Sequence, residues 1–394
     1  MKKQAKAKKL TEVRIGVIGV GNMGTSHISN IERGLIKRAR LAAICDIVPS
    51  KMDRYGDKYL KFTDSKALIR SGEVDAVMIE TPHYDHTTIG IDALTQGVHT
   101  LVEKPISVHK ADCERLIAAH KDRKVVFSAM FNQRTDPHYI KLREIIQSGQ
   151  LGEITRVNWI ITTWFRPQAY YDGGGWRATW KGEGGGVLLN QNPHNLDMWQ
   201  WIVGMPSAAY SHMHFGQWHD IVVEDDVTTY MEYPGGATGV FITTTGDAHG
   251  TNRFEIQMDK ARLIAENNEL KVLEFEVSEP EFSKTNTQPF ATMPAHEIPV
   301  ETDGENPQHV GVLNAWADAI LRGGNLVARG EEGINGLMLS NAMHLSAFLN
   351  KKVELPIDEN LYYDELMKRV ATSRRKTNVK AVFADTRDSY AGTK

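Results

Sequence analysis

VRIGVIGVGNMG, residues 13–24, joins an apolar run to a glycine ladder, with Gly19, Gly21 and Gly24 spaced as G-x-G-x-x-G. Val13 to Val20 is β-branched and almost uncharged, the composition of a strand buried on both faces of a parallel sheet. The chain after Gly24, TSHISNIERGL, can continue as a helix. Strand, tight turn and helix N-terminus in that order form a scaffold for a dinucleotide pyrophosphate. Gly19 permits the turn, Gly21 lets backbone approach phosphate, and Gly24 lets helix and strand pack closely. Asn22 and Met23 complete the loop, and the helix start offers free N–H groups and its positive dipole end. The competing reading is an ordinary glycine turn; the buried strand ahead of it favours the dinucleotide.

The region around this motif repeats its grammar. RLAAICD (40–46), VDAVMIE (74–80), VHTLVEK (98–104) and KVVFSAM (124–130) read as further strands, with amphipathic stretches such as 83–96 and 110–123 between them. Strand–helix alternation at this spacing predicts βαβ units and a doubly wound parallel sheet, a Rossmann domain over residues 1–130. From about residue 150 short runs rich in Thr, Val and aromatics follow one another: 156–165, 226–234, 237–246, 253–259, 261–267 and 270–277, with Asp259-Lys260 as a hairpin tip. They predict a large, mostly antiparallel sheet. Helical stretches at 193–204, 308–324 and 331–350 complete a substrate-binding and oligomerisation α+β domain over 131–356. Residues 357–394 read as a helix and an arm.

Composition narrows the function. A chain of 394 residues calls for two domains. A net charge of −3 favours neither nucleic acid nor an anionic membrane. No apolar run approaches the roughly 18–20 residues of a membrane span. The basic start MKKQAKAKKL lacks a signal-peptide core and reads as a solvated arm. Two cysteines, Cys45 and Cys113, are too few for a disulfide framework, so a reducing cytoplasm is the expected setting.

Asp46 stands 27 positions after Gly19, at the end of the second strand. A carboxylate there accepts hydrogen bonds from the adenosine ribose and repels a 2′-phosphate, which argues for NAD over NADP. Lys51 is the opposing signal, and a helix cap ahead of Pro49 is the structural alternative for Asp46. The third and fourth of these strands end in Glu80-Thr81-Pro82-His83 and Glu103-Lys104-Pro105. Ligands of a doubly wound sheet lie outside the carboxyl ends of its strands, so both segments should face the nicotinamide half. A lysine beside that cation should have a lowered pKa and can orient a substrate hydroxyl. A plain surface lysine is the alternative.

The glycine ladder, then TPHYDH (81–86), EKP (103–105), SGQLGEI (148–154) and the ending KKVELPID, resembles the Gfo/Idh/MocA oxidoreductases over residues 12–356. The resemblance implies a Rossmann domain followed by a large open sheet, assembly as dimers or tetramers, and NAD(P) held while a sugar or polyol hydroxyl is oxidised. It implies Thr81, Pro82, His86 and Glu103 near the cofactor, and Lys104 between cofactor and substrate hydroxyl. GEGGGVLLNQNPHNLDMWQW (182–201) matches the family's glycine cluster and Asp-x-x-x-His. His194 takes the histidine's place as general base, a task suited to a group titrating near neutral pH. Asn190 stands where the aspartate is usual; it can orient but cannot stabilise an imidazolium by charge, and Asp197 is the nearby candidate for that. A helix cap is the alternative role for His194.

Between the motifs, WFRPQAYYDGGGWRATWKGEGGG (164–186) is dense in rings, arginine and glycine. Aromatic faces stack on a sugar's C–H face, so Trp176 and Arg177, with Arg134, are candidate substrate contacts. Core or interface positions are the alternative for the tryptophans. His212, His214, His219, Glu224 and Asp225 lack a strict ligand spacing, and no metal is expected. The reading is NAD-dependent oxidation of a secondary hydroxyl of a sugar, glycoside or polyol, with no nucleic-acid or membrane partner. Two rivals use the same motifs: a cofactor-retaining glycosidase or lyase that oxidises transiently, and a non-catalytic regulator that binds NAD and sugar.

Overall fold

The computed structural model describes residues 11–373 and 379. Two expectations, the basic arm at 1–10 and the arm following the last helix, lie outside them. The chain opens as β1 (Val13–Ile18), α1 (Asn22–Glu32), β2 (Ala39–Cys45), β3 (Leu60–Phe62), α2 (Ser65–Ile69), β4 (Ala76–Ile79), α3 (His83–Thr95), β5 (His99–Val102), α4 (Lys110–Ala119) and β6 (Phe127–Ala129). These strands form a parallel sheet in the order β3-β2-β1-β4-β5-β6, with the topological switch between β1 and β4. Loops after β1 and β4 diverge there and leave a crevice at their carboxyl ends. β1 is buried along nearly its whole length, as its sequence requires. β3, a three-residue edge with Leu60 and Lys61 exposed, carries no apolar pattern in the sequence.

The chain continues through α5 (Pro137–Gln147), β7 (Ile154–Ile161), α6 (Gln168–Asp172), α7 (Val187–Asn190) and α8 (Pro193–Ile202). Then come β8 (Ala208–Phe215), β9 (Glu224–Glu232), β10 (Thr238–Thr244), β11 (Asn252–Met258), β12 (Ala261–Glu266), β13 (Glu269–Phe275), α9 (Glu279–Thr285) and β14 (Ala295–Ile298). α10 (Gln308–Arg322), α11 (Gly333–Leu349), β15 (Val353–Glu354) and α12 (Glu359–Thr372) close it. The second sheet has nine strands in the order β14-β13-β12-β11-β7-β10-β9-β8-β15, antiparallel except for β7 against β10. Its inner face packs α5 and α8 through Trp159, Trp199, Phe241 and Phe254; the Trp159 and Phe254 rings stack at 4.2 Å. Burial alternates along β11 and β12, the period-2 pattern of a half-covered sheet. β11 and β12 turn at Asp259-Lys260.

α10 departs from the linear division of the chain. Val312, Leu313, Trp316 and Ala317 bury their apolar stripe against Val13, Ile15, Leu41 and Met130 of the first sheet. A segment far along in sequence thus returns to cover the Rossmann core.

Candidate active site

The glycine turn is shaped by backbone collisions. Gly19 has φ +100°, and a Cβ there would lie 2.5 Å from the Glu80 carbonyl oxygen. A Cβ on Gly24 would lie 1.9 Å from the Gly19 carbonyl oxygen. Gly21, by contrast, faces open space, with no atom within 4 Å of its would-be Cβ. It also starts α1 without a side-chain cap, so the first-turn N–H groups have no side-chain acceptor. Together these make a cradle that fits a pyrophosphate. Gly24→Ala is expected to weaken NAD binding by tenfold or more (about 1.4 kcal/mol) by fluorescence titration, because backbone must move. Gly21→Ala should fold normally yet also bind less tightly, since its methyl meets only the ligand. Unchanged affinity in both would show that the cradle is not used.

Asp46 is buried at the end of β2, and its carboxylate accepts from Val20 N and Val48 N, each at 2.9 Å. Lys51 Nζ donates to the same carboxylate at 3.1 Å. The cation that competed with Asp46 in the sequence is therefore its ion-pair partner.

The fourth and fifth strands stop early enough to place Glu80 and Glu103-Lys104-Pro105 beyond their ends. Lys104 Nζ donates to the main-chain oxygen of Asn190 at 2.8 Å, joining the first domain's motif to the second's. Burial, then the charges of Arg177 and Arg166, push the Lys104 amine down; Glu103 and Glu183 oppose this. His194 is buried at the start of α8, edge-on to Phe131. Burial, then the charge of Lys104, hold its imidazole well below the usual range, so it is neutral at neutral pH. Pro193 occupies the first helical position of α8.

Asn190 Oδ1 accepts from Tyr170 OH at 2.9 Å, and its Nδ2 donates to Glu183. Arg177 Nη1 donates to Tyr170 OH at 2.6 Å, and its guanidinium lies over the Tyr170 and Trp176 rings. Trp176 and Arg177 are half-buried, and Arg177 is linked to Asn190 through the Tyr170 hydroxyl. Glu183 was not singled out from sequence, where it is hidden in the glycine-rich KGEGGG. Its Oε2 accepts from Ala178 N at 2.6 Å, and burial pushes its carboxyl up to about 7 despite Arg177. The carboxylate missing at position 190 is therefore present, one hydrogen bond away.

Several sequence-derived expectations change. Arg134, read as a substrate contact, is buried with its guanidinium committed to carboxylates: Nε and Nη2 donate to Asp197 at 2.7 Å each, and Nη1 reaches Glu332. Asp197 is consumed by the same pair and by Gln200, so it is not the partner of His194. His86 is buried with its two ring nitrogens on the carbonyl oxygens of Thr81 and Pro105, each at 2.7 Å. It braces the two loops; Thr81 and Pro82 lie on the first of them. Glu224 accepts from Gly186 N and Leu188 N and pairs with His344, while Asp225 holds His219. Glu224 and Asp225 are thus spent on loop geometry.

Residues 13–131 match the sequence profile of the oxidoreductase family with an NAD-binding Rossmann fold, and 139–264 match the GFO/IDH/MocA C-terminal domain. The chain belongs to the Gfo/Idh/MocA family. It is 27% identical over 266 residues to myo-inositol 2-dehydrogenase of Thermotoga maritima, covering 65% of this chain and 75% of that protein. Inositol 2-dehydrogenase of Rhizobium meliloti is 23% identical over 355 residues, 87% of this chain and 99% of that one. The match to the Salmonella typhimurium inositol 2-dehydrogenase, 28% identical, covers 41% of this chain and only 51% of that protein. Among solved structures, the WlbA dehydrogenase of Bordetella pertussis in complex with NADH and UDP-GlcNAcA superposes with a TM-score of 0.73 at 22% identity. That match covers 88% of this chain and 100% of WlbA. Levoglucosan dehydrogenase in complex with NADH gives a TM-score of 0.70 at 21% identity, covering 88% and 100%. Within the Gfo/Idh/MocA family this chain is therefore an oxidoreductase with an NAD-binding Rossmann domain. Among its described residues no helix is long and apolar enough to cross a membrane.

Proposed function

We propose that this protein oxidises a secondary hydroxyl of a sugar, glycoside or polyol, with NAD as its cofactor. The observation that carries the reading is the Lys104–Asn190 contact, which brings the lysine of one domain and the Asn190–His194 segment of the other to one crevice. Bound there, the nicotinamide supplies the hydride acceptor. His194, neutral and buried, accepts the hydroxyl proton. Lys104, its proton loosened by burial, donates a hydrogen bond to the alcohol oxygen and stabilises the charge that develops on it. Trp176 and Tyr170 offer ring faces to a sugar's C–H surface, and Arg177 offers donors to its hydroxyls. Asp46, with Lys51 neutralised against it, supports NAD over NADP. Relatives named inositol 2-dehydrogenase and levoglucosan dehydrogenase support a polyol or sugar substrate.

The outer face of the nine-stranded sheet exposes Ile160, Tyr230 and Leu273, which supports a homo-oligomer formed through it. Cys45 and Cys113 are unpaired and buried, in keeping with a reducing, cytoplasmic setting.

The test is a panel of monosaccharides, glycosides and inositols scored for NAD reduction by absorbance, with NADP beside it. NADH should accumulate with at least one class and faster than NADPH; no reduction across the panel overturns the assignment. One observation favours a second reading, oxidation followed by bond cleavage at a neighbouring carbon. Glu183 is a further acid/base group held near neutral pH beside Asn190. Glycoside cleavage without accumulated NADH would establish that reading instead.

A further inference from the structure

At the carboxyl ends of β4 and β5 lies a second set of ionisable groups, outside the chemistry described above. Glu80 follows β4, on one side of the topological switch, and its carbonyl lies against Gly19 on the other. Its side chain is fully buried and points at His27 of α1, with Oε2 3.8 Å from Nε2. The same His27 nitrogen lies 3.3 Å from Oε1 of Glu103, which ends β5. One nitrogen and two carboxylates thus lie within 4.8 Å of one another in a site closed to solvent.

The two carboxylates differ in their bonding. Glu103 accepts from Lys104 N at 3.0 Å and contacts His27, so its anion is stabilised. Neither oxygen of Glu80 has a hydrogen-bond partner. A buried carboxylate without donors is a poor anion, especially beside a second one. Accordingly burial, then Glu103, drive Glu80 up to about 8 against the pull of His27 and Lys104, while His27 and Lys104 hold Glu103 down. The other ionisable groups at the cluster are His27, His309, His194 and Lys104. His27 is raised toward its cation by Glu80 and Glu103 against desolvation; His309, its ring 5.4 Å from that of His27, is held neutral by burial and by His27. His194 is held neutral by burial and by Lys104, and burial draws the Lys104 amine down against the pull of Glu103. Glu80 is the carboxyl of the cluster whose two oxygens meet no donor, and so the one whose neutral form the site favours.

A cationic nicotinamide entering the crevice adds positive charge beside this cluster, where low dielectric leaves it poorly screened. We propose that Glu80 is a neutral carboxylic acid in the free protein and releases its proton to solvent when NAD⁺ binds, so that its carboxylate balances the nicotinamide charge. The O–H bond of Glu80 breaks, its electron pair stays on the carboxylate, and the buried net charge is unchanged. NADH, whose nicotinamide is neutral, calls for no such release. The protein's preference between NAD⁺ and NADH is therefore coupled to pH through Glu80. Below the range where Glu80 ionises, NAD⁺ affinity rises by up to about tenfold per pH unit while NADH affinity stays level. This inference rests on the NAD-dependent reading.

The experiment is calorimetric titration of the full chain with NAD⁺ and with NADH, in buffers of differing ionisation enthalpy, around neutral pH. About one proton should be released per NAD⁺ bound and none per NADH. In Glu80→Gln the release should vanish and the NAD⁺ to NADH affinity ratio should lose its pH dependence, with NADH binding retained as the sign of an intact fold. Release that persists in Glu80→Gln, or no release from the wild type while NAD⁺ binds, overturns the inference. An equivalent of divalent metal retained by the wild type and lost from the variant also overturns it, since an ion would then hold the cluster together. Should neither nucleotide bind, the NAD-dependent reading itself falls, and the inference with it.

Discussion

Lys104→Met is expected to lower kcat by about 10²–10⁴-fold, the range over which a positioned proton donor or acceptor contributes. The ammonium is the group nearest both motifs: Nζ touches the Asn190 main chain and its charge depresses His194. Removing it deprives the developing alkoxide of its donor. It also lets the His194 imidazole rise toward its ordinary range, so the residual activity should shift its pH dependence upward. Methionine fills nearly the same volume, which limits the loss of packing. NAD should still bind, because Lys104 contacts neither the glycine turn nor Asp46. The measurement pairs steady-state turnover on the best substrate of the panel with an NAD titration. Undiminished turnover removes Lys104 from the mechanism, whereas lost NAD binding reassigns it to the cofactor.

Arg134→Met should destabilise the fold by about 3–5 kcal/mol, read from urea unfolding, because it leaves Asp197 buried without its counter-ion. Side chains of Arg134 and Asp197 are 2% and 1% exposed, and two 2.7 Å bonds join them. The desolvation that Asp197 suffers is already visible: burial raises its carboxyl even with the guanidinium in place. Arg134→Met combined with Asp197→Leu should recover much of the loss, since the penalty comes from the orphaned charge rather than the missing bonds. Surviving Arg134→Met protein should show an unchanged KM, because the guanidinium is committed to Asp197 and Glu332. A loss below about 1 kcal/mol, or a KM raised many-fold at intact stability, would return Arg134 to the substrate site.

Both sheets were legible in the chain because local pattern reports burial. An uncharged β-branched run marks a strand covered on two faces, and Thr- and aromatic-rich runs between short turns mark a sheet covered on one. Gly19, Gly21, Gly24 and Asp46 were legible for a related reason: their spacing acts within one βαβ unit. Arg134 and Asp197 misled because 63 positions separate partners that satisfy each other completely. Glu183 escaped notice because its neighbours in sequence are glycines, while its relevance comes from Asn190, Arg177 and burial. No periodicity announces the carboxyl pair of Glu80 and Glu103, whose separate strands meet a histidine of α1.

The glycine ladder that opens the chain carried its own chemistry, since the collisions that demand glycine there are between backbone atoms a few residues apart. Lys104, His194 and Glu80 had identities in the sequence but no protonation states. Those depend on how thoroughly water is excluded and on which charges the folded chain brings alongside. Only the tertiary structure supplies both, because desolvation and Coulomb energies depend on distance in space and not on separation along the chain.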